Sequence, residues 1–456
     1  MAAMFARLLL LAIGFSSAAA SAPNFIVIFA DDLGYGDLGS YGAKDFETPN
    51  LDRMAAEGAR FTDFYSASGV CTPARAALMT GCHQMRVGLG HRVLFPYTVE
   101  GLHPDEITIA EVLKTKGYAT AAIGKWHLGH QKKFLPTRQG FDYYFGIPYS
   151  NDMGGHFYRR EHYQAPPLPM MRMEQVIEQE PAQALLTKRY TREAINFIRE
   201  HRDEPFFIYL PHSMPHLPID ASSDFKGKTK HGLYGDVIEE LDWSVGQILA
   251  ELKDSQLDDN TMVIFTSDNG PVTRPDTRQG FPRGSAGVLR GAKNSTWEGG
   301  MREPSIMRWP GKILAGTLVR EMASTMDLMP TIAKLAGAEA PTDRVIDGKD
   351  IWPLISAQPG AKTPHEAFYY YRDERLQAVR SGQWKLHTYR PEWGDDSDHA
   401  PLLYDLAADL GEQNDVAAAN AEVVRRLEAL AEAARDDLGD ALTRRIGKQV
   451  RPVGRL

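Results

Sequence analysis

The 456-residue chain carries 51 basic and 59 acidic residues, and its formal net charge of -8 excludes the basic surface that a nucleic-acid partner demands. Apolar (43%) and charged (24%) contents are ordinary for a soluble globular protein, and the length allows one large domain plus a small one, or two to three ordinary domains. Two cysteines, Cys71 and Cys82, are too few for a disulfide scaffold; a bridge between them is the bland alternative to a cysteine kept for reactivity.

At the N-terminus, Arg7, the apolar segment Leu8 to Phe15 and the small residues Ala18-Ala19-Ala20 read as a cleaved export signal over residues 1–22. The apolar segment is too short to span a bilayer, and no later stretch reads as a membrane span. Asn24 to Ala30 is a continuous apolar run, predicted to be a fully buried strand. Thr48-Pro49 opens a helix through Leu51, Met54 and Ala55 that stops at Gly58, and Phe61 to Tyr65 is a strand. Pro73 suits the first position of a helix that runs to Gly81. Thr108 to Lys116 is helical, and Tyr118 to Ile123 is a strand ending at Gly124-Lys125. Helix over Thr191 to Arg199, strand over Phe206 to Leu210, a longer helix carrying Val237, Ile238, Leu241, Val245, Ile248 and Leu249, and strand over Thr261 to Thr266 follow.

This alternation implies an α/β fold with a mostly parallel sheet covered on both faces. Residues 23–360 read as one large domain and 361–456 as a smaller one. The latter holds four short strand-like runs (Ala367 to Tyr371, Leu376 to Arg380, Trp384 to Tyr389, Leu402 to Leu406) and a helix with Val423, Val424, Leu427 and Leu430. The closing basic run Arg444-Arg445, Lys448, Arg451, Arg455 reads as a solvated end.

Several chemistry-bearing pairs fall just past strand ends, the edge where open α/β sheets place their ligand crevice. Asp31-Asp32 and Ser267-Asp268-Asn269-Gly270 are hard oxygen donors that suit Ca²⁺ or Mg²⁺ better than zinc; capping and turn formation are the alternative roles. Lys125 and His127, two apart in an extended segment, point to one side, a cation for an anionic oxygen and an imidazole that moves protons. His212 and His216 sit in a proline-rich loop after another strand, and their spacing does not say which of them protonates a leaving group. Lys293 lies in a glycine-rich loop able to bring it to an anion. Cys71 and Arg75 share the start of a helix, whose free N–H groups make an anion site and lower a thiol pKa, so a thiolate nucleophile is one reading of Cys71.

Over nearly the whole chain from Asn24, the sequence resembles the type I sulfatases, the arylsulfatase A-like branch of the alkaline-phosphatase superfamily. The resemblance is carried by Cys71-Thr72-Pro73-Ala74-Arg75-Ala76-Ala77-Leu78-Met79-Thr80-Gly81, Gly124-Lys125-Trp126-His127-Leu128-Gly129 and Lys293 through Gly300. It implies hydrolysis of sulfate monoesters, natural substrates being sulfated carbohydrates, with small aryl sulfates also accepted. It also implies that a maturation enzyme oxidises Cys71 to formylglycine, and that one Ca²⁺ is held by Asp31, Asp32, Asp268, Asn269 and residue 71. Lys125 and Lys293 hold sulfate oxygens, His216 protonates the departing alcohol, His127 takes the proton that releases sulfate, and Arg75 stabilises the hydrated aldehyde. Ser150 resembles a sulfate-contacting serine. Tyr149, Phe157, Tyr158, Arg159, Arg160 and His162 are candidates to line a sugar site. Ala74, Cys82, Ala292 and the proline-free Asp409-Leu410-Gly411-Glu412 depart from the family pattern. Alternatives are a phosphonate or phosphodiester hydrolase built on the same modified residue, and a glycan-binding protein whose Cys71 stays a thiol.

Overall fold

The first strand, β1 (Asn24–Ala30), is buried along its whole length, and its alternating side chains feed two cores. Phe25, Val27 and Phe29 enter one; Ile26, Ile28 and Ala30 enter the other, as the period of two requires of a strand covered on both faces. The computed structural model describes residues 22–155, 159–160, 163–273, 283–389 and 400–456. The expected export signal, and Phe157, Tyr158 and His162, lie outside these residues.

After β1 come α1 (Pro49–Glu57), β2 (Ala59–Tyr65), α2 (Cys71–Thr80), α3 (Ile109–Lys114), β3 (Ala119–Lys125) and β4 (Tyr143–Ile147). The hairpin β5 (Pro169–Arg172) and β6 (Gln175–Gln179) precedes α4 (Leu186–Glu200), β7 (Phe206–Pro211), α5 (Leu233–Asp254) and β8 (Thr261–Ser267). Then follow α6 (Glu298–Met301), β9 (Arg302–Arg308), β10 (Thr317–Val319), β11 (Ala323–Ser324) and α7 (Leu328–Leu335). These strands form one eleven-stranded sheet in the order β10-β2-β9-β8-β1-β7-β3-β4-β5-β6, with β11 also beside β2. The central run β8-β1-β7-β3-β4 is parallel throughout, and antiparallel pairs flank it on both sides. Helices α2, α3 and α7 pack on one face, and α1, α4 and α5 on the other. The mostly parallel, doubly covered sheet is the predicted architecture.

A second sheet, β12 (Phe368–Arg372), β13 (Arg375–Ser381), β14 (Trp384–His387) and β15 (Leu402–Asp405), is antiparallel in chain order. Helix α8 (Ala421–Leu438) lays Leu427, Ala431, Ala434 and Leu438 over Leu376, Val379, Leu386 and Leu403. An isolated bridge joins Tyr371 of this sheet to Ser68, just upstream of α2. Among the described residues no helix is long and apolar enough to cross a membrane.

Three local expectations are corrected. Helix α2 begins at Cys71, two residues ahead of the position inferred from Pro73. The first four N–H groups of a helix lack intrahelical partners, so a proline is tolerated at the third position as well as the first. Helix α3 is shorter than predicted, because Thr108 is its cap: the Thr108 hydroxyl accepts from Glu111 N, and the Glu111 carboxylate accepts from Thr108 N. The basic C-terminal run is not a free end. Gly454-Arg455 pairs as a short strand with Glu100-Gly101, and Arg451 forms a 2.7 Å ion pair with the buried Glu106.

Ile264 on β8 is fully buried in the sheet centre. Ile264→Ala is expected to lower stability by about 2–5 kcal/mol in urea unfolding, the range for a truncated core aliphatic, and a loss under about 1 kcal/mol would contradict the packing described.

Candidate active site

Five neighbouring parallel strands each deliver a predicted residue to the same sheet edge. In spatial order, β8 ends at Asp268-Asn269, β1 at Asp31-Asp32, β7 leads to His216, β3 ends at Lys125 with His127 beyond, and β4 leads to Ser150. The start of α2 brings Cys71 and Arg75 to this edge, and the segment before α6 brings Lys293.

Cys71 is 2% exposed, and its Sγ lies 3.6 Å from Asp31 Oδ1 and 3.8 Å from Lys293 Nζ. The remaining groups interlock as buried ion pairs. Asp31 Oδ2 accepts from Lys125 Nζ at 2.5 Å and lies 3.5 Å from Arg75 Nη2. Arg75 Nη2 donates to Asp268 Oδ2 at 2.7 Å, and its Nη1 to the Lys125 carbonyl at 2.9 Å. Lys293 Nζ donates to Asp32 Oδ2 at 2.8 Å. Lys125 Nζ also donates to Ser150 Oγ at 3.2 Å, and His216 Nε2 lies 3.7 Å from Asp32 Oδ2. Three carboxylates therefore face three cations, all shielded from solvent except Lys293, whose side chain is 14% exposed.

Burial raises the Asp31 carboxyl, yet Lys125, His216, Arg75 and Lys293 hold it well below the usual carboxylate range. Asp268 moves the other way, pushed up by burial and by the nearby Asp31. Cys71 differs from the expectation of a depressed thiol. Burial pushes it up to about 12, outweighing Lys125 and Lys293, while Asp31 and Asp268 act in the same upward direction. A helix start does not generate a thiolate when the thiol is sealed from water beside carboxylates. Cys71 and Cys82 are both free, so the bridge between them is not formed.

The histidines separate clearly. His212 is fully buried against α5, with Nε2 3.3 Å from Ser244 Oγ and its ring beside Tyr190, away from the charged cluster, and burial lowers its pKa to about 3. His216 is the one at the carboxylates. The Leu217 carbonyl accepts from His216 Nδ1 at 2.7 Å, which leaves Nε2 facing Asp32. His127 does not continue an extended segment. Gly124, at φ 134° where a β-carbon would sit 1.9 Å from the Pro211 carbonyl oxygen, and Lys125 are the last residues of β3, and His127 beyond it has φ 58°. The left-handed backbone at His127, rather than strand alternation, carries its side chain to the cluster. Its Nε2 meets the Leu94 carbonyl at 2.9 Å; a carbonyl only accepts, so Nε2 holds the proton and the buried Nδ1 is an unpaired lone pair. Burial, Lys125 and Arg75 keep the ring well below the usual histidine pKa, hence neutral.

Two residues that no sequence signal singled out hold His127 in place. Thr72 Oγ1 donates to the His127 carbonyl at 2.9 Å and accepts from Leu94 N at 3.1 Å, a link to a segment with no motif. Of the proposed sugar-site residues, Tyr149 is 4% exposed and its hydroxyl meets the Pro167 carbonyl, so it is part of the core rather than of a surface.

The donor set fits a hard divalent cation. Oxygens of Asp31 and Asp32 cluster with Cys71 Sγ and His216 within 4.8 Å, and Asn269 Nδ2 donates to Asp32 Oδ1 at 2.7 Å while its own carbonyl Oδ1 is buried without a partner. Asp268, whose oxygens are taken by Arg75 and by Asp32 N, adjoins this group. A cation among these carboxylates relieves the repulsion that raises Asp268.

Comparison with known proteins places this arrangement in context. The Sulfatase family profile matches residues 23–338, and that of the N-sulphoglucosamine sulphohydrolase C-terminal region matches residues 292–436. The chain is 41% identical to N-acetylgalactosamine-6-sulfatase of Canis lupus familiaris over 85% of its length and 76% of the relative's. It is 40% identical to human arylsulfatase A over 93% and 90% of the two chains. A crystal structure of Ps i-CgsB in complex with k-i-k-neocarrahexaose superposes with a TM-score of 0.77 at 30% identity, covering 91% of this chain and 92% of that one. With the family signature spanning the whole sheet edge just described, the chain belongs to the sulfatase family and is a sulfuric ester hydrolase.

Proposed function

We propose that this protein removes sulfate from sulfated carbohydrates, and from small aryl sulfates, using formylglycine derived from Cys71 and Ca²⁺ held by Asp31, Asp32, Asp268, Asn269 and residue 71. The carrying observation is the setting of Cys71: a sealed thiol, pushed up to about 12, packed between a carboxylate at 3.6 Å and an ammonium at 3.8 Å. Such a thiol is a poor nucleophile, and its position suits an oxygen. Oxidation to the aldehyde, by a maturation enzyme, supplies a hydrated carbon whose hydroxyl is the nucleophile. Ca²⁺ supplies positive charge for the sulfate oxygens and acidifies that hydroxyl. The carbohydrate class is supported by the named substrate of the N-acetylgalactosamine-6-sulfatase relative and by the oligosaccharide bound to Ps i-CgsB. Export is supported by the charge, apolar and small-residue pattern of residues 1–22.

The chain's own residues then divide the work. Lys125 and Lys293 hold sulfate oxygens, with Ser150 beside Lys125, and stabilise the charge that builds in the transition state. His216, acting as the imidazolium with its Nδ1–H held by the Leu217 carbonyl, gives its Nε2 proton to the departing alcohol oxygen and is left neutral. His127 receives a proton at Nδ1, the nitrogen left free by its bond to Leu94. Arg75 contacts the carboxylates directly: it pairs with Asp268 and Asp31 beside residue 71 and favours the ionised form of each, against the burial that raises them.

Sulfate release from 4-nitrophenyl sulfate is the direct test; Cys71→Ala and chelation are each expected to abolish it, with Ca²⁺ restoring only the chelated wild type. Activity surviving in Cys71→Ala would refute the proposal. His216→Ala is expected to lower kcat/KM by about 10²–10⁴-fold on a sugar sulfate, whose alkoxide leaves poorly, and far less on 4-nitrophenyl sulfate; equal losses on both would remove His216 from the acid role. In protein made without a maturation enzyme, a thiol at about 12 is only ~10⁻⁴ ionised at pH 8. Iodoacetamide is therefore expected to label Cys71 only after unfolding, read by peptide mass spectrometry; rapid labelling of the folded chain would contradict the burial described.

A further inference from the structure

Lys293 stands on a segment with little regular structure of its own. Lys293 N donates to the Pro271 carbonyl at 2.9 Å and Asn294 N to the Gly69 carbonyl at 3.0 Å, which stitches it to the segment after Asn269 and to the segment leading into Cys71. Immediately downstream, its anchors come from the C-terminal sheet. Lys385 of β14, fully buried, donates from Nζ to the Thr296 carbonyl at 2.8 Å and lies 2.9 Å from both Glu298 Oε1 and Glu412 Oε1. Glu412 Oε2 accepts from Glu298 N at 2.7 Å, and its Oε1 meets His387 Nε2 at 3.0 Å. Thr296 Oγ1 donates to Gln377 Oε1 at 2.9 Å, and Tyr370 OH donates to Glu298 Oε1 at 2.8 Å. Upstream, Arg290 stacks over Trp297 at 3.6 Å and donates to the Glu412 carbonyl at 2.8 Å. Both sides of Lys293 are thus gripped by residues of the C-terminal region, upstream through Arg290 and the Glu412 carbonyl and downstream through the Lys385, Glu298 and Glu412 charges, which are 0% exposed.

We propose that Lys385 and Glu412 are positioning residues for Lys293, which makes the C-terminal sheet a working part of the catalytic centre rather than a stabilising attachment. The proposal rests on the reading of Lys293 as a sulfate-holding cation. A long, flexible ammonium stem has to be fixed at its backbone if Nζ is to meet a sulfate oxygen, and small displacements of a positioned group cost rate steeply. Removing one member of the cluster leaves a buried charge unpaired, so the segment shifts to resolve it.

The test is a double-mutant cycle with Lys293→Ala, Lys385→Met and the combination, followed by kcat, KM and the inhibition constant of inorganic sulfate, with each variant confirmed folded at the assay temperature. Lys293→Ala is expected to lower kcat/KM about 100-fold, as for loss of one transition-state donor, and Lys385→Met about tenfold or more. The combination is expected to be no worse than Lys293→Ala alone, and both single variants to weaken sulfate inhibition. Losses that multiply, or full activity in Lys385→Met, would overturn the positioning role. Full activity in Lys293→Ala would instead overturn the reading of Lys293 itself. Should Lys385→Met not fold, Thr296→Val, which leaves every charge paired and removes only the bond to Gln377, is run through the same cycle with the same criteria.

Discussion

A carboxylate taken out of water without a partner costs several kcal/mol, and three of them side by side are sustained only by cations of matching number and reach. Asp31, Asp32 and Asp268 are buried beside Arg75, Lys125 and Lys293, and the pairings cross between elements that are distant in sequence. Arg75 at the start of α2 binds the carboxylate after β8; Lys125 at the end of β3 binds the one after β1. The ion pairs therefore set the spacing of the strand ends as much as the sheet does. They hold Asp31 ionised, while burial above all keeps His127 neutral and the thiol at position 71 protonated.

The same balance suits the substrate. A cluster with equal numbers of buried acids and bases has no net charge to offer an anion. A divalent cation held by Asp31, Asp32, Asp268 and Asn269 would add the positive charge that an anionic substrate needs beside Lys125 and Lys293. Besides Arg75 Nε, the Asn269 carbonyl oxygen and His127 Nδ1 are buried polar atoms of the centre without a partner among the described residues. Both are buried atoms whose partners have to come from outside the chain, and each lies on a residue that the catalytic reading assigns to cation binding or proton transfer.

Much of this centre is legible in the sequence because strand ends and short motifs coincide. Asn24 to Ala30 is apolar without interruption, which only a doubly covered strand explains, and Asp31-Asp32 follows it at once. Thr261–Ser267, buried throughout and apolar from Met262 to Phe265, likewise leads directly to Asp268-Asn269. What was not legible depends on backbone direction and on distant pairs. Their spacing places Lys125 and His127 on one face of an extended segment, whereas the strand ends at Lys125 and a left-handed His127 brings them together. The choice between His212 and His216 turns on which of them α5 covers, and no local pattern encodes that. The thiol's pKa was misjudged because a helix start was weighed without the burial that overrides it. Lys385 and Glu412 carry no motif, since a cluster assembled from residues 298, 385, 387 and 412 has no spacing to recognise.

The central claim is that position 71 works as an oxidised residue inside this charge cluster. The most direct measurement is mass spectrometry of the peptide containing residues 71–75, on active protein from a host with the maturation enzyme, correlated with specific activity across preparations of varied modification. The account predicts the mass of formylglycine in place of cysteine, with activity proportional to the modified fraction. Full sulfate-releasing activity in protein whose Cys71 is an unmodified thiol would contradict it.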